Sequence, residues 1–230
     1  MARFNINGVT LDVPNKLLRQ KIKEKLTSGE YEGSEARAAR MRVKPGWPVL
    51  ELGGGLGYVS SICAQITEPG NITVVEANPN LIPVIKKNLR LNAASEVTVR
   101  HGAVVNNAYP EDTIDMQLGA SFWGSSLAGG GGGGGRGAQD IVNVPALKLG
   151  PLLREHRPRV VIMDVEGAEA RLFWRPWPRF VHHVMLELHP KKYGGATIKR
   201  IVDCMSASGL TYDPVCSKGG LLGFQRVAAE

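Results

Sequence analysis

Between Val49 and Tyr58 the chain reads Val-Leu-Glu-Leu-Gly-Gly-Gly-Leu-Gly-Tyr, an apolar run that breaks into glycines and resumes in residues suited to a helix. Glycine belongs where the backbone turns sharply and a ligand must approach it, because a Cβ would collide there. About 20 residues past the loop, after the next apolar run, stands Glu76, a carboxylate able to accept hydrogen bonds from both hydroxyls of a ribose. Together Gly53, Gly55, Gly57, Glu76 and the adjoining Ala77 read as contacts for an adenosine-containing cofactor. A dinucleotide fingerprint requires G-x-G-x-x-G, and its third position here is Tyr58. The loop fits Glu-x-Gly-x-Gly-x-Gly better, with Glu51 ahead of the first glycine. An acid at that point suits the cationic amino group of a methionyl tail and has no use beside a pyrophosphate. The spacing therefore points to S-adenosylmethionine, with Glu51 expected to hold its ammonium.

A second group of ionisable residues follows at the ends of two later apolar runs. Val160-Val161-Ile162-Met163 leads into Asp164 and Glu166, and Val184-Met185-Leu186 leads into Glu187 and His189. Within each pair the residues are two apart, so an extended chain directs both to one face. The carboxyl ends of such strands form the rim where open α/β sheets bind ligands. Four groups that accept protons or coordinate metals thus converge on one site. For methyl transfer to a hydroxyl the expected general base is His189 or Asp164, with Glu166 and Glu187 orienting the acceptor. Two alternatives remain open: the cluster holds a divalent metal that polarises the hydroxyl, or Asp164 contacts the cofactor while Glu166 and Glu169 stabilise a helix N-terminus.

The elements that must position these groups alternate. Strand-like runs at Val49 to Leu52, Ile72 to Glu76, Val97 to Val99, Val160 to Val165 and Val181 to Leu188 are separated by helical candidates at Tyr58 to Ile66, Leu81 to Leu91, Ala168 to Phe173 and Thr197 to Ser206. The pattern predicts a Rossmann-like α/β fold, a mostly parallel sheet with helices on both faces. Leu210 to Tyr212 and Leu221 to Val227 predict an antiparallel hairpin at its edge. Residues 1–45 are expected as a helical extension, with Leu17, Leu18, Ile22 and Leu26 on one face, packed on a domain spanning 46–230. Gly129 to Gly135 is an unbroken glycine run, expected as a mobile loop near 128–138 that covers the substrate or is an inert insertion.

Composition bounds the reading. A chain of 230 residues, 43% of them hydrophobic, suffices for one core. Its net charge of +7 is spread along the sequence rather than gathered into a basic arm, which argues against a dedicated nucleic-acid surface. The three cysteines outline neither a disulfide framework nor a metal site. With no apolar stretch of membrane-spanning length, a cytoplasmic protein is expected. Trp174 and Trp177 are candidates to stack on a base or sugar, or to pack against the fifth strand.

The glycine loop, Glu-Ala-Asn-Pro from Glu76, Asp-Val-Glu-Gly-Ala-Glu from Asp164 and Glu-Leu-His-Pro from Glu187 resemble the FkbM family of methyltransferases over about Trp47 to Asp213. The resemblance implies a class I methyltransferase fold, a seven-stranded sheet of order 3-2-1-4-5-7-6, and O-methylation of sugar or polyketide hydroxyls, so that the acceptor is a small molecule. The loop departs from the family's usual Asp-x-Gly-Ala-Asn, and Lys148 follows Leu147 where an acid is common. A methyltransferase of nucleic acid or protein, and a cofactor-binding protein without catalysis, are the alternatives.

Overall fold

The structure is a computed structural model and describes residues 1–118, 126–127 and 141–227. The glycine run at Gly129 to Gly135 lies outside the described residues. A hairpin, β1 (Ala2–Ile6) and β2 (Val9–Val13), opens the chain, and α1 (Gln20–Ser28) and α2 (Gly33–Arg42) follow. Next come β3 (Val49–Leu52), α3 (Tyr58–Ala64), β4 (Ile72–Glu76), α4 (Ile82–Leu91), β5 (Thr98–His101), β6 (Ala103–Val105), β7 (Thr113–Gln117), β8 (Ser126–Leu127) and β9 (Ile141–Lys148). The chain continues through α5 (Leu149–His156), β10 (Val160–Met163), β11 (His183–Glu187), α6 (Gly195–Ala207), β12 (Leu210–Tyr212) and β13 (Leu221–Arg226).

The main sheet has the order β5-β4-β3-β10-β11-β13-β12. Counted along the chain within this sheet, that is 3-2-1-4-5-7-6, the class I methyltransferase topology. β5, β4, β3, β10 and β11 run parallel, and β13 enters antiparallel between β11 and β12. The order reverses between β3 and β10, where an open α/β sheet leaves a crevice beyond its strand ends. Register aligns those ends: Leu52 pairs with both Val75 and Met163, and Met163 with Leu186.

Strand periodicity divides the core. Val49, Val74, Val160, Ile162 and Met185 face α2, α3 and α4, whereas Leu50, Leu52, Val161, Met163 and Leu186 face α5 and α6. Each such aliphatic side chain, buried on both sides of a parallel sheet, stabilises the fold by about 1.5–3 kcal/mol. The three cysteines are free and buried, so they serve as small apolar residues. Trp177 stacks on Phe173 inside the second layer, while Trp174 is exposed and lies against Arg200.

Several elements depart from the periodic reading. The N-terminal segment is a hairpin turned by left-handed Asn7-Gly8, followed by two helices rather than by one extension. The helix expected from Ala168 is a single 3-10 turn, Ala168–Arg171, entered through left-handed Glu166 and Gly167. A second sheet of order β6-β9-β7-β8 was not anticipated, nor was α5. Among the described residues, no helix is long and apolar enough to cross a membrane.

The most consequential packing is that of α2, which lies against β10, β11 and β13. Its Arg42 forks onto fully buried Asp213, Nε to Oδ2 at 2.6 Å and Nη2 to Oδ1 at 2.7 Å, and Arg37 donates to the carbonyls of Val215 and Cys216. Burial opposes ionisation of Asp213, but Arg42 outweighs it and holds the carboxyl at about 2. Replacing Asp213 by Ala strands the Arg42 charge, and urea unfolding should show a loss of about 3–5 kcal/mol.

Candidate functional site

A cavity of about 870 Å³ lies over the aligned strand ends, a size that suits a cofactor and a small acceptor. Its floor is Gly53, Gly55, Glu76, Ala77 and Asp164, with Tyr31, Glu32 and Glu35 to one side and Ala103, Val104 and Met116 to another. Glu166, Glu187 and His189 complete the wall beyond Asp164.

The glycines act differently from one another. Gly53, at φ +95°, continues the hydrogen-bonding of its strand through Val75, and a Cβ on it would sit 1.8 Å from the Asp164 carbonyl oxygen. Backbone meets backbone there, so no side chain fits. Gly57, at φ +76°, caps α3 and packs toward Ile85; it does not line the cavity. Its predicted role as a ligand contact gives way to one in turning the chain into the helix.

Glu51 also lies apart from the cavity. It shares strand parity with Val49, so its carboxyl points under α3 and accepts a hydrogen bond from Ser60 Oγ. Burial, with Glu76 nearby, pushes it up to about 8. An acid enclosed in this way does not line the cavity, whereas the sequence led to the expectation that it meets a methionyl ammonium. Glu76 is on the floor as expected, oriented by Gly55 N–H at 3.1 Å and Asn78 N–H at 2.7 Å. Burial raises its pKa while those backbone donors oppose the rise.

The structure brings Asp164, Glu166 and His189 together. His189 Nε2 is 3.4 Å from Glu166 Oε2 and 3.7 Å from Asp164 Oδ1. The cause is not an extended strand: β10 ends at Met163, and Glu166, at φ +52°, is left-handed. Lys192 holds that turn, its Nζ donating to the Glu166 carbonyl at 2.7 Å and to its carboxylate at 2.8 Å. Glu187 borders the same wall.

Glu169, which the sequence offers as a helix-terminus charge, organises the cluster from behind. It is fully buried and accepts from His189 Nδ1 at 2.7 Å, the Tyr193 hydroxyl at 2.6 Å and the Gly167 N–H at 2.8 Å. Burial works against its charge, yet the His189 and Tyr193 hydrogen bonds prevail and hold its pKa below the usual value. An ionised Glu169 makes Nδ1 the donor and leaves Nε2 facing two carboxylates. Burial lowers the affinity of His189 for a proton, but Glu169 first, then Asp164 and Glu166, push it up to about 9. Asp164 is in turn raised well above the carboxylate range, by burial and then by Glu166 and Glu187. The donor atoms of Asp164, Glu166 and His189 lie within 4.8 Å of one another, an arrangement that suits either a proton on Nε2 or a divalent metal.

Tyr31, Glu32 and Tyr193 carried no signal in the sequence, because tertiary packing alone brings them to the glycine loop and to the Glu169–His189 pair. Glu169 did lie within a recognised motif, but its inward direction depends on the left-handed turn before it.

Comparison with known proteins gives a partial match. Residues 17–114 match the model of the protein-L-isoaspartate(D-aspartate) O-methyltransferase family. A protein-L-isoaspartate O-methyltransferase from Methanococcoides burtonii is 34% identical over 62 residues, which is 26% of this chain and 30% of that protein's length. Among solved structures, precorrin-6y C5,15-methyltransferase from Geobacter metallireducens aligns at 14% identity and TM-score 0.44, covering 88% of this chain and 78% of its own. Magnesium protoporphyrin IX methyltransferase from Synechocystis with bound SAM aligns at 12% identity and TM-score 0.45, covering 91% and 86%. The matched family region contains the glycine loop and Glu76 but ends before the Asp164 and His189 cluster. The chain's own strand order carries the class I methyltransferase fold.

The Glu169–His189 hydrogen bond has a spectroscopic consequence. Replacing Glu169 by Gln removes the ionised acceptor, and an NMR titration should show the His189 pKa falling below the value of about 9 that Glu169 sustains. A raised imidazole contributes stability in full below about pH 6.5 and loses it as pH climbs through about 9, so the variant should lose most stability on the acid side.

Proposed function

We propose that this chain is an S-adenosylmethionine-dependent methyltransferase that transfers the methyl group to a hydroxyl of a small molecule. The observation that carries the reading is the continuous cavity from Glu76 across Gly53 to Asp164 at the switch point of a class I methyltransferase sheet. The residues fit a cofactor with two positive centres: among the described residues, the buried oxygens Glu32 Oε2 and Asp164 Oδ1 have no hydrogen-bond partner. When bound, S-adenosylmethionine supplies a methyl on a sulfonium, which leaves as a neutral thioether once oxygen has taken the methyl.

The protein's part is alignment and proton removal. Glu76 takes the ribose hydroxyls and the glycine floor admits the nucleoside at backbone distance. Glu187 and Glu166 border the acceptor's position, and His189 Nε2, steadied by Glu169, accepts the hydroxyl proton. The similarity to the FkbM family in Asp-Val-Glu-Gly-Ala-Glu supports a sugar or polyketide acceptor. A second reading, methylation of a protein carboxylate, draws on the family match over 17–114. Against it stand Glu166 and Glu187, acids that border the transfer point and would repel a carboxylate acceptor.

Isothermal titration should register S-adenosylmethionine binding, and methyl transfer should favour hydroxyl metabolites over isoaspartyl peptides. His189→Ala should lower kcat by about 100-fold or more with cofactor affinity nearly unchanged. Below about pH 9 only the neutral fraction of His189 can accept a proton, so kcat/KM should rise about tenfold per pH unit toward that value. Activity that vanishes on chelation and returns with a divalent ion would replace the proton at Nε2 by a metal.

A further inference from the structure

With Glu51 enclosed beneath α3, the glycine loop has lost the acid expected to meet a methionyl ammonium. A different carboxylate stands over it. Tyr31 and Glu32 lie between α1 and α2, far from the loop in sequence, and both line the cavity. A Cβ on Gly55 would come within 2.6 Å of Glu32 Oε1 and 2.9 Å of the Tyr31 hydroxyl, so both groups sit directly on that glycine's bare Cα. Among the described residues Glu32 Oε2 is buried without a hydrogen-bond partner, and Glu32 adopts a left-handed φ of +45° that a side chain rarely takes. Tyr31 is itself buried, edge-on to Tyr58, whose hydroxyl is fixed by Asn7. The pair is thus anchored from the side away from the cavity.

The position fits one part of the cofactor. β4, β3 and β10 are successive neighbours, which separates Glu76 from Asp164 by about 10 Å across the loop. A nucleoside with its ribose on Glu76 and its sulfur directed toward Asp164 and His189 brings its amino-acid tail past Gly55. We propose that the Glu32 carboxylate, with the Tyr31 hydroxyl, forms the subsite for the α-ammonium of the methionyl tail, so that an N-terminal residue does the work that the loop's own acid cannot. This rests on S-adenosylmethionine being the cofactor. The ammonium supplies the missing partner for Oε2, and desolvation by Tyr31 and Gly55 strengthens the pairing.

The test is calorimetric and requires no turnover. Full-length protein is titrated with S-adenosylhomocysteine, with its deaminated analogue, which keeps the carboxylate, and with 5′-methylthioadenosine, which lacks the whole tail. The wild type should bind S-adenosylhomocysteine about 10- to 100-fold more tightly than the deaminated analogue, and Glu32→Gln should erase that difference while leaving methylthioadenosine affinity unchanged. Equal wild-type affinity for the first two ligands, or an equal loss of all three in a folded Glu32→Gln variant, overturns the subsite. Should the variant fail to fold, the wild-type ligand series decides alone. A wild type that binds none of the three overturns the cofactor reading instead, a result distinct from failure of the subsite.

Discussion

The backbone of Gly53 rests against the carbonyl of Asp164, and the geometry of the crevice follows from that contact. β3 and β10 are neighbours whose connections leave toward opposite sides of the sheet, so their ends must separate to admit a ligand while their last hydrogen bonds hold them together. Asp164 N–H bonds to the Leu52 carbonyl at 2.9 Å, and Gly53 N–H to that of Val75 at 2.9 Å. These bonds carry the register one residue past the strands and bring three chain reversals to one level. Any side chain at position 53 would force the reversals apart, and with them the floor and the acidic wall.

Around that floor the protein has gathered more buried carboxylates than it can leave unpaired. Three of them are satisfied, each in its own way. Glu51 takes the Ser60 hydroxyl, Glu76 takes backbone N–H groups, and Glu169 takes the imidazole and the phenol. Glu32 and Asp164 retain buried oxygens without partners among the described residues. Burying an unpaired carboxylate is costly in a low-dielectric site, and a protein accepts the cost most readily where a cation arrives as ligand. A sulfonium and an ammonium on one molecule are cations of the required number, and both would lie over this floor.

The N-terminal segment is integral to the arrangement. Arg42 and Arg37 tie α2 to the turn beyond β12, and Asp12 is bound by Arg3 and Lys87, which fixes the hairpin to α4. Tyr31 and Glu32 are thereby held between two anchored elements. Residues outside the sheet's repeating units close the site over the loop.

Periodicity and spacing were enough to read the five parallel strands, the edge hairpin and the glycine loop, because a strand buried on both faces must be an apolar run and a ligand-approached turn must lack side chains; the order of the strands came only from the resemblance to the FkbM family. Glu76, Asp164, Glu166, Glu187 and His189 were legible for the same reason, since they stand at strand ends where a short reach suffices to meet at the rim. Direction was another matter. Glu51 points beneath α3 by its parity within a four-residue strand, Gly57 serves the helix, and Glu169 turns inward because Glu166 and Gly167 are left-handed. The small sheet of β6 to β9 was hidden by strands that are short or half exposed, whose pairing depends on partners far along the chain. Tyr31 and Glu32 had no local mark at all. Local sequence determined where backbone must bend and where charge must gather, whereas only the packed tertiary structure decided which carboxylates face the cavity, because that choice depends on contacts between segments distant in sequence.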